Sequence, residues 1–362
     1  MFNFENLEKA QVEITNRCQA SCPMCLRNIH GGIENPNLTS HDWTLEDFKE
    51  IFTPKILQQL KRIDFCGDFG EPTVNNDLIS MCAYIKQQNP ELETAIFTNG
   101  STRTLGWWKR LAQALTVRHK VEFALDGLSD THSLYRVGTD YDKITKNAQA
   151  FAKAGGYAVW MFIRFKHNQE QVKDAEIISR KFGFSEFHVK NSKRFGDTFP
   201  VLDKQGNVTH YLDQPDVTPI KFFDKNDLLS YKSWPEAEKV NCMVLHDKEI
   251  YIDANFTVLP CCLLGSFLYA NYDEVLYKKY DVYKHSSIVD VGKIAQKETY
   301  RIVEELGGLQ ALDAKKGLEN IVNDPKWQTI WQREWSNKTS PACIVLCGKN
   351  TPLTRVEDQV ER

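Results

Sequence analysis

Residues 11–25 read Gln-Val-Glu-Ile-Thr-Asn-Arg-Cys-Gln-Ala-Ser-Cys-Pro-Met-Cys. The first five alternate polar and apolar in a short β-prone run, which predicts a strand. Three cysteines follow at once, Cys18, Cys22 and Cys25, in a C-x3-C-x2-C spacing. A strand that empties into a loop of thiols sets the pattern for what comes next. KRIDFCG (61–67), ETAIFTNG (93–100), VEFALDG (121–127), YAVWMFIRF (157–165) and SEFHVK (185–190) are further strand candidates, several ending in a glycine turn. Stretches with helical spacing separate them, at 44–60, 77–88, 106–115, 141–154 and 169–182. Strand alternating with helix predicts parallel βα units. Six such units before residue 192 suit a partial, open barrel rather than an eight-unit one. Chemistry in parallel barrels sits at the C-terminal strand ends. Here those ends carry the cysteine loop, GDFGEP, TNG and LDG, so the unusual residues gather on one rim.

The rhythm breaks after residue 192. Residues 193–240 read as a polar, turn-rich connector. Residues 241–362 read as a second, small α+β domain, opening on a hairpin in EIYIDANFTVLPCC (249–262) and continuing in charged helices from 287 to 335. Trp327, Trp331 and Trp335 recur every four residues, which places them on one helix face.

Of the 362 residues, 42% are hydrophobic, enough for a sizeable core, and the formal net charge is −3. That balance lacks the basic footprint of a nucleic-acid binder. MFNFENLEKA shows no basic region followed by an apolar one, and no apolar run is long enough to span a bilayer. The expectation is a soluble cytoplasmic protein with neither nucleic-acid nor membrane partners. In a reducing compartment the eight clustered cysteines among the ten read as metal ligands rather than disulfides. Cys66, in a strand, and Cys82, on an apolar helix face, read as core residues. So do Trp107 and Trp108.

Three thiolates on one tight loop can bind three irons of a cubane cluster and leave the fourth iron open. A zinc site would want a fourth donor, and His30 is the nearest on offer. Farther on, Cys242, Cys261, Cys343 and Cys347 can complete a second cluster with no open iron, Cys262 being the alternative to Cys261. Four cysteines could equally hold zinc.

The C-x3-C-x2-C loop after a first strand resembles the signature of the radical S-adenosylmethionine (SAM) superfamily. Gly70-Glu71-Pro72 is similar to that family's GGEP motif, with Asp68 and Phe69 in place of glycines. Phe97-Thr98-Asn99-Gly100 looks like its third-strand exit. Ala124-Leu125-Asp126-Gly127, with His132 and Tyr135-Arg136, resembles the SxDG…H…R segment of its peptide-modifying branch, Ala124 standing for serine. Met24 stands where the family usually has an aromatic residue. The resemblance implies a partial (β/α)6 radical SAM barrel over residues 1–192 with a [4Fe–4S] cluster on Cys18, Cys22 and Cys25. It implies SAM contacts at Gly70, Glu71, Asn99, Arg136 and Asn168, with Glu71 toward the SAM ammonium and Arg136 toward its carboxylate. The later cysteines and the YIDANFTVLPCC hairpin look like the Twitch domain, a shortened SPASM domain, with a second, auxiliary [4Fe–4S] cluster. The activity implied is reductive cleavage of SAM to a 5′-deoxyadenosyl radical that abstracts hydrogen from a substrate carbon, on a peptide or protein side chain. Dehydrogenation of a small-molecule alcohol, and sulfur insertion or methylthiolation, are the enzymatic alternatives. A non-catalytic, zinc-stapled binding protein is the alternative of another class. An electron donor such as flavodoxin or ferredoxin is implied as a partner. The residues name no catalytic acid or base, although His246, Tyr251 and Asp253 near the hairpin are candidate proton acceptors.

Overall fold

The computed structural model describes residues 2–191, 198–216, 242–271, 288–336, 343 and 360–361. Six strands lie side by side in chain order: β1 (Lys9–Val12), β2 (Arg62–Phe65), β3 (Glu93–Thr98), β4 (His119–Ala124), β5 (Ala158–Arg164) and β6 (Glu186–Asn191). Each runs parallel to its neighbour. A parallel neighbour can be reached only by a crossover, and each crossover here holds a helix. These are α1 (Leu45–Ile51), α2 (Leu78–Gln88), α3 (Leu105–Ala114), α4 (Tyr141–Lys153) and α5 (Val172–Phe182).

Local chemistry fixes where the helices begin, end and face. Thr44 and Asp47 form a reciprocal capping box at the start of α1. In α2 the buried residues are Leu78, Met81, Cys82 and Ile85, the i, i+3, i+4, i+7 stripe that faces a sheet. α5 stops at Gly183, whose φ of +85° suits a residue without a Cβ. Side chains alternate across the sheet. One face meets the helices with Val12, Phe65, Ile96, Phe123, Trp160 and Phe162, all fully buried. Trp108 packs at 5.1 Å from Phe123 between helix and sheet. The opposite face carries Gln11, Asp64, Lys120 and Glu122, so it is polar and charged.

Beyond residue 192 some of the described segments extend this sheet and others stand apart from it. A hairpin, β7 (Thr198–Leu202) and β8 (Val208–Asp213), lies within the stretch read as connector; the remainder of that stretch is outside the described residues. The predicted hairpin at 249–259 forms as β9 (Glu249–Ile252) and β10 (Val258–Leu259), antiparallel to each other. β9 also pairs in parallel with β1, and β11 (Val360–Glu361) pairs antiparallel with β6. The result is one open nine-stranded sheet, ordered β10-β9-β1-β2-β3-β4-β5-β6-β11. All four residues of β9 are buried, as a strand between two neighbours and under a helix requires. Lys9 stitches the junction, with its Nζ 2.5 Å from Glu249 and 3.3 Å from Asp64.

The longer helices of this later part are α6 (Cys262–Tyr269), α7 (Ile288–Glu305) and α8 (Pro325–Ser336). Trp327 and Trp331 are buried, with ring centroids 5.8 Å apart; the Trp335 side chain lies outside what is described. No described helix is long and apolar enough to cross a membrane.

Candidate active site

The loop after β1 brings Cys18, Cys22 and Cys25 together, and each sulfur meets a different element. The Asn99 Nδ2 donates to Cys18 Sγ at 3.7 Å, and an Arg136 nitrogen donates to Cys22 Sγ at 3.8 Å. Cys25 Sγ donates to the Asp68 carbonyl at 3.7 Å. So the loops after β2, β3 and β4 each reach one thiol. Burial pushes the Cys18 thiol well above its ordinary range, with Glu71, Cys22 and Cys25 adding to the effect; burial also raises Cys22. Such thiols stay protonated on their own and ionise against a cation that binds them. His30 faces away from this set. Its ring stacks on Phe199 at 4.5 Å, its Nδ1 lies 3.2 Å from the Pro200 carbonyl, and burial lowers its pKa to about 4. Among the described residues no three His, Cys, Asp or Glu side chains converge on a single metal ion. Cubane ligands need not converge, because each thiolate takes its own iron.

The loop after β2 is packed without slack. A Cβ on Gly70 would sit 1.7 Å from the Thr15 carbonyl oxygen, so only glycine fits. The Glu71 carboxylate is buried and well supplied with donors. Its Oε1 accepts from the Thr73 backbone N–H (3.1 Å), the Thr73 hydroxyl (2.7 Å) and the Thr98 hydroxyl (2.6 Å). Its Oε2 accepts from the Asn99 N–H at 2.6 Å and keeps a lone pair. Burial raises the Glu71 pKa while these donors pull it down. Asn99 is held in turn by Gln19, whose Nε2 donates to its Oδ1 at 2.7 Å.

After β4, Asp126 is fully buried and accepts from Arg136 Nε at 2.5 Å and from the Ile163 N–H at 2.5 Å. The guanidinium is therefore already paired where it meets Cys22. His132 accepts the Asp126 N–H on its Nδ1 at 3.2 Å, so its Nε2 carries the proton toward Thr139 Oγ1 at 2.8 Å. Burial and the Arg136 charge lower the His132 pKa to about 3, which keeps the ring neutral. Asn168 braces the β5 exit with both ends of its amide: Oδ1 accepts from Phe165 N–H and Nδ2 donates to the Ile163 carbonyl.

A lid lies over the cysteine loop. Met24 packs with Tyr135 and Phe165 against Val201 and Leu212 of the β7–β8 hairpin. No motif marks this hairpin in the sequence, because its strands are short and its turns resemble any linker. Glu13 also goes unmarked, although an acid at an inward position of the first strand is a signal. It accepts from the Phe69 and Gly70 N–H groups and from the Tyr251 hydroxyl.

The later cysteines divide by environment. Cys261 is half-buried, and Cys262, Cys343 and Cys242 all add to the rise of its pKa, so Cys242 and Cys343 lie within electrostatic reach of it. Cys262 instead feels Asp68, Glu249 and Lys9. Cys347 lies outside the described residues. Cys66 and Cys82 are buried in the core. Of the candidate proton acceptors, His246 is exposed beside Asp247, while Tyr251 is fully buried. Asp253 holds the β9–β10 turn through the Asn255 and Thr257 N–H groups, and burial raises its pKa to about 6.

Residues 12–175 match the Radical SAM superfamily model, which supports a radical SAM catalytic domain over that part of the chain. Over 151 residues it is 26% identical to a 7,8-dihydro-6-hydroxymethylpterin dimethyltransferase of Methanocaldococcus jannaschii, covering 41% of this chain and 28% of that relative's length. The crystal structure of Streptococcus suis SuiB bound to precursor peptide SuiA is similar in fold, with a TM-score of 0.50 at 14% identity over 89% of this chain and 66% of that one. BtrN in complex with AdoMet and 2-DOIA aligns over 98% of both chains at 12% identity, with a TM-score of 0.43.

Proposed function

We propose that this radical SAM enzyme abstracts hydrogen from a carbon of a peptide or protein side chain. One observation carries the reading: the three thiols of a C-x3-C-x2-C loop are met by Asn99, Arg136 and the Asp68 carbonyl from three successive strand exits. Cys18, Cys22 and Cys25 would hold a [4Fe–4S] cluster, a donor set of the right kind and number to leave one iron for SAM. Held there, the cluster would supply the electron for reductive cleavage of SAM.

The chain's own residues bind and orient. Gly70 lets the backbone approach closely, and the lone pair left on Glu71 Oε2 suits a cationic ammonium. Arg136, pinned by Asp126, presents its remaining N–H groups toward a carboxylate. Asn99 and Asn168 hold the exits of β3 and β5 at the same rim. The β7–β8 hairpin excludes water over the loop. Cys242, Cys261, Cys343 and Cys347 would form the auxiliary [4Fe–4S] site of a Twitch-like segment in this reading, supported by the electrostatic reach of Cys242 and Cys343 to Cys261. Flavodoxin or ferredoxin would deliver the electron. A peptide substrate is favoured by the ALDG…H…YR segment and by the fold shared with SuiB, whose structure holds a precursor peptide.

The test is iron and acid-labile sulfide per chain after anaerobic reconstitution, with EPR before and after SAM. About eight irons, falling to about four in Cys18→Ala/Cys22→Ala/Cys25→Ala, is expected. SAM should perturb only the wild-type spectrum. Zinc without sulfide would sink the reading. Product mass then separates loss of two hydrogens from gain of a methylthio group.

A further inference from the structure

Glu13 stands between two parts of the molecule that the sequence keeps far apart. Its side chain is 1% exposed. Oε1 accepts both the Phe69 and the Gly70 N–H, each at 2.7 Å, which clamps the backbone immediately before Glu71. Oε2 accepts the Tyr251 O–H at 2.9 Å, from β9. The Glu13 N–H donates to the Ile252 carbonyl at 2.9 Å, so main chain and side chain grip the same strand. The Tyr251 ring is itself trapped. A Cβ on Gly265 would lie 2.3 Å from it, so helix α6 rests directly on the ring. That helix begins at Cys262, immediately after Cys261. A continuous run of contacts therefore leads from the Cys261 segment through α6, Tyr251 and Glu13 to the Gly70–Glu71 backbone. Asp68, Asp253 and Cys66 lie within electrostatic reach of the Tyr251 hydroxyl.

We propose that Glu13 and Tyr251 are positioning residues that couple the auxiliary cysteine segment to the loop receiving SAM, so that order in one sets the SAM affinity of the other. The proposal rests on the SAM reading above. Neither residue touches the cysteines of either group in the contacts seen, so each acts through the loop it holds. Coupling of this kind is reciprocal and measurable as a free-energy cycle.

The experiment uses the reconstituted full-length holoenzyme and SAM as the probe, with Kd read from the SAM-induced change in the EPR signal of the first cluster. Tyr251→Phe keeps the ring and removes one hydroxyl. It is expected to weaken SAM about fivefold or more with iron content retained, the range of ordinary site-to-site coupling. Glu13→Gln keeps an acceptor for both amides and can donate to Tyr251, so it should stay near wild type, whereas Glu13→Ala should match or exceed Tyr251→Phe. Cys242→Ala should weaken SAM in the wild-type background and add little in the Tyr251→Phe background. A merely stabilising pair would lower the melting temperature and leave that cycle additive. An unchanged SAM Kd in Tyr251→Phe, or an undiminished Cys242→Ala effect beside it, overturns the proposal. Should Tyr251→Phe fail to reconstitute, Gly265→Ala displaces the same ring and is read the same way. Wild type that binds no SAM would instead refute the functional reading itself.

Discussion

At the scale of single residues, burial dominates the chemistry of the site. Glu13 is the clearest case: desolvation and the neighbouring Asp68 carboxylate push it up to about 8 despite three donors. A carboxylic acid raised in the fold binds its proton more tightly there than in the unfolded chain. Its contribution to stability is therefore full below the unfolded value and is lost as pH rises toward 8. The melting temperature should fall between about pH 5 and about pH 8 by more in wild type than in Glu13→Gln, which cannot ionise; thermal melts across that window check it. Gly70 gives a second prediction. Its Cβ would overlap the Thr15 carbonyl oxygen, so Gly70→Ala must move the Glu71 loop. A cost of about 1–3 kcal/mol in unfolding free energy is expected from overpacking, together with lost SAM affinity. Cys18, Cys22, Cys25, Glu71 and Asn99 were legible in the sequence because spacing and glycine turns mark them. Tyr251 was legible as a candidate proton acceptor, whereas Glu13 went unmarked and the pair could not be read, because 238 residues separate them.

At the scale of elements, β1 to β6 and their helices follow from alternation and helical spacing. Capping and glycine stops agree with the hydrophobic pattern at each end. The β7–β8 hairpin was read as connector, since its strands are short, polar on one face and broken by turn residues. Its apolar face matters all the same. Leu212 is fully buried against the group that includes Met24. Leu212→Ala should cost about 2–5 kcal/mol locally and loosen the lid. The checking measurement is the rate at which air bleaches the reconstituted first cluster, expected to be faster in the variant; an unchanged rate would mean that the hairpin does not shield it.

At the scale of the whole molecule, β9 is the joint. Its Ile250 and Ile252 are fully buried, and its backbone pairs with β1, the strand that launches the cysteine loop. A chain ending before residue 242 would expose β1 as a bare edge with apolar neighbours, and such edges recruit other chains. That truncation should elute as aggregate in size-exclusion chromatography, where the full chain elutes as a defined species. The amino-acid sequence by itself determined the alternating βα order and the rim of motifs, because periodicity and spacing are local properties of a chain. Tertiary structure alone decided that β9 joins β1, that Cys242 and Cys343 come within electrostatic reach of Cys261, and that Glu13 ties Gly70 to Tyr251. Those facts depend on which buried groups find partners across hundreds of residues, and local pattern carries no record of such pairings.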